Sequence, residues 1–212
     1  MRTNLIASIV SAVVFTVLFG LAYPLFTTGV AQVAFPDKSD GSRVERDGQT
    51  VGSSLIAQGF TKTVEVKDGR KTIKRVVRDP RYFQPRPSQT GYSGDVTFFN
   101  NLGPNNRELK NFFVKWISRY IALEGKYVPG GLTPHDVPVD AVTTSASGVD
   151  PHISQANARI QANRIAQVRG ISLDRVDQLI DEHTAGRALG FLGEPGVNVL
   201  ELNLALDEEQ TS

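Results

Sequence analysis

Leu5 to Tyr23, LIASIVSAVVFTVLFGLAY, lies inside an uncharged run from Thr3 to Pro36 and decides what the rest of the chain must be. At 1.5 Å of rise per residue, roughly 20 helical residues span a hydrocarbon core about 30 Å thick, so this run is long enough to cross a bilayer. It holds eleven Leu, Ile, Val and Phe residues. Each contributes roughly −0.3 to −0.6 kcal/mol on an insertion scale, and no charge opposes the sum. The alternative is a cleaved secretory leader, whose apolar core would be about 7 to 15 residues and end at a small-x-small site. Gly29 and Ala31 offer only a weak site well past the core. The reading is a retained single-pass anchor over residues 1–35, with Arg2 and the amino terminus on the cytoplasmic side. Residues 36–212 then form a domain outside the cytoplasm.

That remainder is within the usual size of one domain and can bury a core. Lys+Arg 23 against Asp+Glu 22 gives a net charge of +1, so no global field recruits nucleic acid. The chain has no cysteine, which excludes disulfides, thiolate metal sites and cysteine nucleophiles.

Outward from the anchor, Gln32 to Thr50 is polar, with Asp47-Gly48 as a turn signal, and reads as a connector. Thr63 to Val77, TVEVKDGRKTIKRVV, places Asp68-Gly69 between two β-prone arms, which predicts a hairpin pairing Lys67 with Arg70 and Val64 with Ile73. Residues 62–78 are the most basic segment, and an exposed, charge-solvated hairpin is preferred over a dedicated anion or headgroup site. Tyr82 to Ser88 is a proline-stiffened loop with an aromatic plug. Asn106 is expected to cap a helix from Arg107 to about Leu123, whose Leu109, Phe112, Phe113, Trp116, Ile117 and Tyr120 recur at helical spacing. A helix is expected to open near Ile153 with Asp150 as its cap, and another from Leu173 to Thr184 with Ser172 as cap and Gly186 as stop. Leu200, Leu202, Leu204 and Leu206 alternate with polar residues and predict a closing strand over Val197–Leu206. Hairpin, helices and strand together give an α+β domain.

Chemistry is sparse. Neither a Walker loop nor GxGxxG is present, so the chain has no self-sufficient nucleotide site. His135-Asp136 and Asp150 with His152 could each offer metal ligands, but an Asp-Pro-His turn is more often a local hydrogen-bonded corner. Ser145 and Ser147 lack the G-x-S-x-G elbow. Ser147 with His152 is the least implausible pair for the rival reading, an independent exported hydrolase. Short polar residues crowded in loops suit a surface that hydrogen-bonds another protein.

Taken together, the loops resemble the C subunit of the Kdp-type potassium-transporting ATPase. The resemblance is carried by the amino-terminal anchor, Gly52 to Phe60, Tyr82-Phe83 with Arg86-Pro87-Ser88, and Asn101-Leu-Gly-Pro-Asn105. It continues through Thr143 to Ser154, Gln161 with Arg164 and Arg169, and Phe191 to Leu200 with Asn203. These blocks follow the family order over nearly the whole chain. Three departures stand out: the basic hairpin looks like an insertion, Asp95 to Asn100 reads DVTFFN where the family is Ser/Gly-rich, and Val149 replaces the usual Leu.

The resemblance implies a non-catalytic accessory subunit in the inner membrane, partnered by a potassium-binding channel-like subunit and an ATP-hydrolysing P-type subunit. The partners handle potassium and ATP, and this chain alone binds no cofactor. It also implies a role in raising ATP affinity in the hydrolytic subunit. An external domain stands across the membrane from cytoplasmic ATP, and the topology takes precedence. Candidate partner contacts are Asn101, Gly103, Pro104, Asn105, Ser145, Ser147, Gly148, Asp150, Pro151 and His152, with no catalytic or metal-binding residue.

Overall fold

The apolar run folds as one helical rod of 33 residues, Arg2–Ala34, about 50 Å long at 1.5 Å per residue. Its parts are α1 (Arg2–Val17), a π-helical turn (Leu18–Ala22) and α2 (Tyr23–Ala34), and none of its residues is buried. Pro24 sits near the start of α2, and Thr27 Oγ1 donates to the Tyr23 and Pro24 carbonyls, each at 3.0 Å. The computed structural model describes residues 2–68, 71–96 and 101–209, apart from the side chains of Asp68 and Lys71.

The chain divides into two compact units, residues 1–53 and 54–212. Composition places the division at residue 35, whereas by contact the anchor's unit continues through α3 (Pro36–Ser39) and the hairpin β1 (Arg43–Arg46) and β2 (Gln49–Ser53). That hairpin turns on Asp47 and Gly48, with φ of 52° and 73°. Positive φ at both central residues is what a two-residue type I′ turn requires.

In the second unit, β3 (Thr61–Asp68) and β4 (Lys71–Arg78) form the expected basic hairpin in a different register. Asp68 pairs with Lys71, Val66 with Ile73 and Val64 with Arg75, two positions from the expected Lys67–Arg70 and Val64–Ile73 pairs. The observed register sets Glu65 opposite Lys74, where the expected one would have set Lys67 against Arg70, and opposed like charges are unfavourable. Because the shift is even, each side chain keeps its face. The turn expected at Asp68-Gly69 lies partly outside the described residues.

The core is built around α6 (Gln155–Arg169), flanked by α7 (Leu173–Glu182), α8 (Val199–Glu209) and an antiparallel sheet. That sheet is ordered β5 (His152–Ile153), β7 (Gly196–Asn198), β6 (Thr184–Ala185). Ala158, Ala162 and Ile165 of α6 pack with Val176 and Ile180 of α7, Leu202 and Leu206 of α8, and Phe83 from the proline loop. Phe83 is the expected plug. A second cluster gathers Tyr120 from α4 (Arg107–Glu124) with Ala141 and Val142 from α5 (Val139–Val142), and Trp116, Ile117 and Ile160 pack against it. Asn106 caps α4 through Glu108 N at 2.7 Å, and Ser172 caps α7 through Arg175 N at 3.2 Å, both as expected.

Three expectations are corrected. The closing strand is a helix: after the short β7, Asn198 Oδ1 accepts from Leu200 N and Glu201 N at 3.1 and 3.3 Å and starts α8. Val199, Leu202, Asn203 and Leu206, buried together with Leu200, are the i, i+3, i+4, i+7 set of a helix. The helix expected near Ile153 begins at Gln155 under Ser154, whose Oγ accepts from Asn157 N at 3.1 Å, so Asp150 is not its cap. Gly186 does not stop α7, which ends at Glu182 before β6.

Candidate functional site

Thr143 to Pro151 connects α5 to β5 and is tied on both flanks to distant backbone. Arg86 reaches over it, donating to Asp150 Oδ2 at 3.2 Å and to Thr143 Oγ1 and the Thr144 carbonyl at 3.3 Å each. Ser88 Oγ donates to the Gly148 carbonyl at 2.7 Å and accepts from Tyr92 N at 3.0 Å. Gly148 has φ +73°, and a Cβ there would meet Thr90 Oγ1 at 3.1 Å. Conformation and space therefore both demand glycine at this point. Ala57 N donates to the Val149 carbonyl at 2.8 Å, and Val199 N to that of Pro151 at 3.0 Å. Arg86, Ser88, Ala57 and Val199 are thus brought to one loop, a convergence within the second unit.

Within the loop the polar side chains serve their own backbone. Ser145 Oγ accepts from Gly148 N at 3.0 Å and Asp150 N at 3.5 Å, and Ser147 Oγ accepts from Val149 N at 3.2 Å. Asp150 Oδ1 accepts from His152 N at 3.0 Å and lies 3.5 Å from His152 Nδ1. The His152 hydrogen bond holds the Asp150 carboxyl below its usual range, and the same bond raises His152 above 6.5. Ser147 and Ala146 are exposed, Ser145, Asp150 and His152 are half-buried, and Gly148 and Pro151 are buried. His152 is engaged by Asp150 and Ser147 by Ser145 and Val149, so these two side chains do not pair as a Ser147–His152 dyad. Thr133 N and Oγ1 each donate to Asp136 Oδ2 at 2.7 Å, which makes His135-Asp136 part of a local corner. Among the described residues no group of His, Asp and Glu is arranged to hold a metal ion.

Asn101, Gly103, Pro104 and Asn105 are exposed ahead of α4. Their loop approaches the other through a cleft of about 250 Å³, where Leu102 stands with Gln89, Phe112, Phe113, Thr143 and Thr144.

Beneath the loop lies a buried polar network for which sequence patterning gave no signal. Asp140 accepts from Ser154 N, Ser154 Oγ and Asn157 Nδ2 at 2.9, 2.8 and 2.9 Å. Asn157 Oδ1 accepts from Tyr120 OH at 2.8 Å and Gln161 Nε2 at 3.0 Å. Gln161 exchanges bonds with the Gln84 backbone, 2.8 Å from N and 3.1 Å to O, as Asn203 does with that of Phe83. At the far end, Arg164 Nε bonds both oxygens of Glu124 at 3.0 and 2.9 Å, and Nη1 donates to the Pro80 and Tyr82 carbonyls. Asn157, Gln161 and Arg164 occupy one face of α6, at i, i+4 and i+7. The resemblance singled out Gln161, Arg164 and Asn203, while composition and periodicity did not.

Residues 5–208 match the KdpC family model, described as the K+-transporting ATPase, c chain. The potassium-transporting ATPase KdpC subunit of Mycobacterium tuberculosis (strain ATCC 25618 / H37Rv) is 44% identical over 209 residues, covering 98% of this chain and 99% of its own. That of Koribacter versatilis is 43% identical over 212 residues, covering 99% and 97%. That of Rhodospirillum rubrum is 47% identical over 195 residues, covering 91% and 89%. The hydrolase reading gains no support.

Proposed function

The chain belongs to the KdpC family, and on that premise we propose that it is the non-catalytic accessory subunit of an ATP-driven potassium uptake complex of the inner membrane. The match over nearly the full chain carries this reading. In it, Arg2–Ala34, unburied along its length, crosses the bilayer with its amino terminus in the cytoplasm. The second unit stands outside, where it stabilises the assembly or covers the potassium entrance. A channel-like subunit binds potassium and a P-type subunit hydrolyses ATP. Any rise in ATP affinity is transmitted through the membrane partners, since the chain has no phosphate loop of its own.

The exposed candidates, Asn101, Gly103, Pro104, Asn105 and Ser147, meet a partner directly. Gly148, Asp150, Pro151 and His152 hold the backbone that presents them. A reporter active only outside the cytoplasm, fused to the carboxyl terminus, is expected to be active, and intact mass is expected to retain residues 1–30. An inactive reporter would reverse the topology, and loss of the first residues would turn the anchor into a leader.

A further inference from the structure

Arg78 ends β4 with its guanidinium carbon 5.0 Å from the centroid of Trp116, and Arg119, three residues along α4 from Trp116, brings a second guanidinium to 5.3 Å from the same ring. With Val76, Val77 and Leu123 these three side chains line a groove of about 430 Å³. An aromatic face attracts a cation through its quadrupole, yet it supplies no net negative charge. Two guanidiniums on one ring therefore remain mutually repulsive. Burial, with Arg164 and Arg119 adding to it, lowers the Arg78 pKa from its usual value.

No described carboxylate makes an ion pair with either arginine. Glu124, whose charge reaches Arg78, already bonds Arg164 through both oxygens at 3.0 and 2.9 Å. Asp79 takes Arg81 at 2.7 Å and Lys62 at 4.0 Å. The polar neighbour of Arg78 is the Tyr92 hydroxyl, which burial keeps in its neutral form. Val76, 66% exposed, adds apolar surface beside the charges.

We propose that this groove binds the phosphodiester headgroup of an anionic phospholipid. The two guanidiniums take the phosphate oxygens in the forked geometry that suits them. Trp116 lies against the ester region, the level at which amphipathic indoles settle in bilayers, and Val76, Val77 and Leu123 meet the first methylenes. Lipid is favoured over free phosphate by this apolar wall and by the tether. The second point rests on the reading of the amino-terminal helix as an anchor, which keeps headgroups at high effective concentration.

Trp116 is the sole tryptophan, so its fluorescence reports on the groove directly. The full chain in a neutral detergent is titrated with short-chain phosphatidylglycerol, with phosphatidylcholine of equal chain length, and with inorganic phosphate. A saturable change with phosphatidylglycerol is expected at concentrations where the other two leave the signal flat. Arg119→Gln, at an exposed position, is expected to keep the circular dichroism spectrum. It should raise the half-saturating concentration about tenfold, the order expected for loss of a charge-assisted bond. Equal responses to phosphatidylcholine, or saturation by phosphate alone at the same concentration, would overturn the headgroup assignment. An Arg119→Gln chain that titrates like the parent would overturn the groove itself. Because the titration needs no bilayer, its failure is distinguishable from a failed topology assay.

Discussion

Arg164 and Arg78 are both largely withdrawn from water beside α4, and their partners could hardly differ more. Arg164, with no exposed side-chain surface, has its charge answered by Glu124 and its remaining nitrogens by the Pro80 and Tyr82 carbonyls and Gln161. Arg78 has a neutral ring and a neutral hydroxyl. Desolvating a cation is costly in both places, but only at Arg164 does a hydrogen-bonded carboxylate answer the charge. Burial alone thus does not separate architecture from binding; the hydrogen-bonding capacity left over after folding does.

The comparison breaks hardest at Arg164. Arg164→Met strands the Glu124 carboxylate, whose pKa burial already raises, and is expected to cost about 3–5 kcal/mol. For a domain of this size that is roughly a 10 °C fall in melting temperature of the full chain. Adding Glu124→Leu should restore most of the loss, since a buried pair exchanged for apolar groups is often near neutral. Arg78→Gln should cost only about 1 kcal/mol, the scale of a cation–π contact. Equal losses at the two arginines would make both structural.

Ser154 and Ser147 sharpen the contrast at intermediate scale. Ser154→Ala removes the α6 cap and a bond to Asp140 and should cost about 1–2 kcal/mol. Ser147→Ala, exposed and bonded only locally, should stay within about 0.5 kcal/mol while weakening co-purification with the transport subunits. Unchanged co-purification would confine Ser147 to shaping its own loop.

The smallest effect is the pH dependence of the Asp150–His152 contact. Because His152 is raised in the folded chain, its contribution is fully present below about pH 6.5 and is lost as pH rises through the folded value. Asp150, lowered, contributes above 3.8 and loses that contribution as pH falls through its own folded value. The melting temperature difference between the parent and His152→Gln should therefore be larger at pH 5.5 than at pH 8.5. A flat difference would uncouple His152 from the carboxylate charge.

Local signals were readable where one residue did one job. Asn106 and Ser172 cap as their positions announced, and the apolar run is a single rod. The Leu200–Leu206 segment misled because leucines two apart satisfy a strand pattern, while Val199, Leu202, Asn203 and Leu206 satisfy a helical one with a polar residue on the buried stripe. Asn203 belongs there only because it pairs with the Phe83 backbone, 120 positions away in the chain. The network of Asn157, Gln161 and Arg164 is opaque for the same reason: its partners lie on other elements, and polar residues at helical spacing look like a solvated face. The Ser145–Ser154 loop was recognisable as a special segment, but that the Ser145 and Ser147 hydroxyls bond their own loop's backbone follows from the backbone path.

The π-helical turn at Leu18–Ala22 accommodates one residue beyond regular α geometry. At roughly 100° of azimuth per residue, side chains before and after it are out of rotational phase. The rod consequently carries two azimuths, one for Arg2–Val17 and another for Tyr23–Ala34, and a straight neighbour that follows a stripe along the first half meets a different one along the second. Deleting a single residue within this turn would re-aim half of the apolar surface without changing the chemistry of any side chain on it.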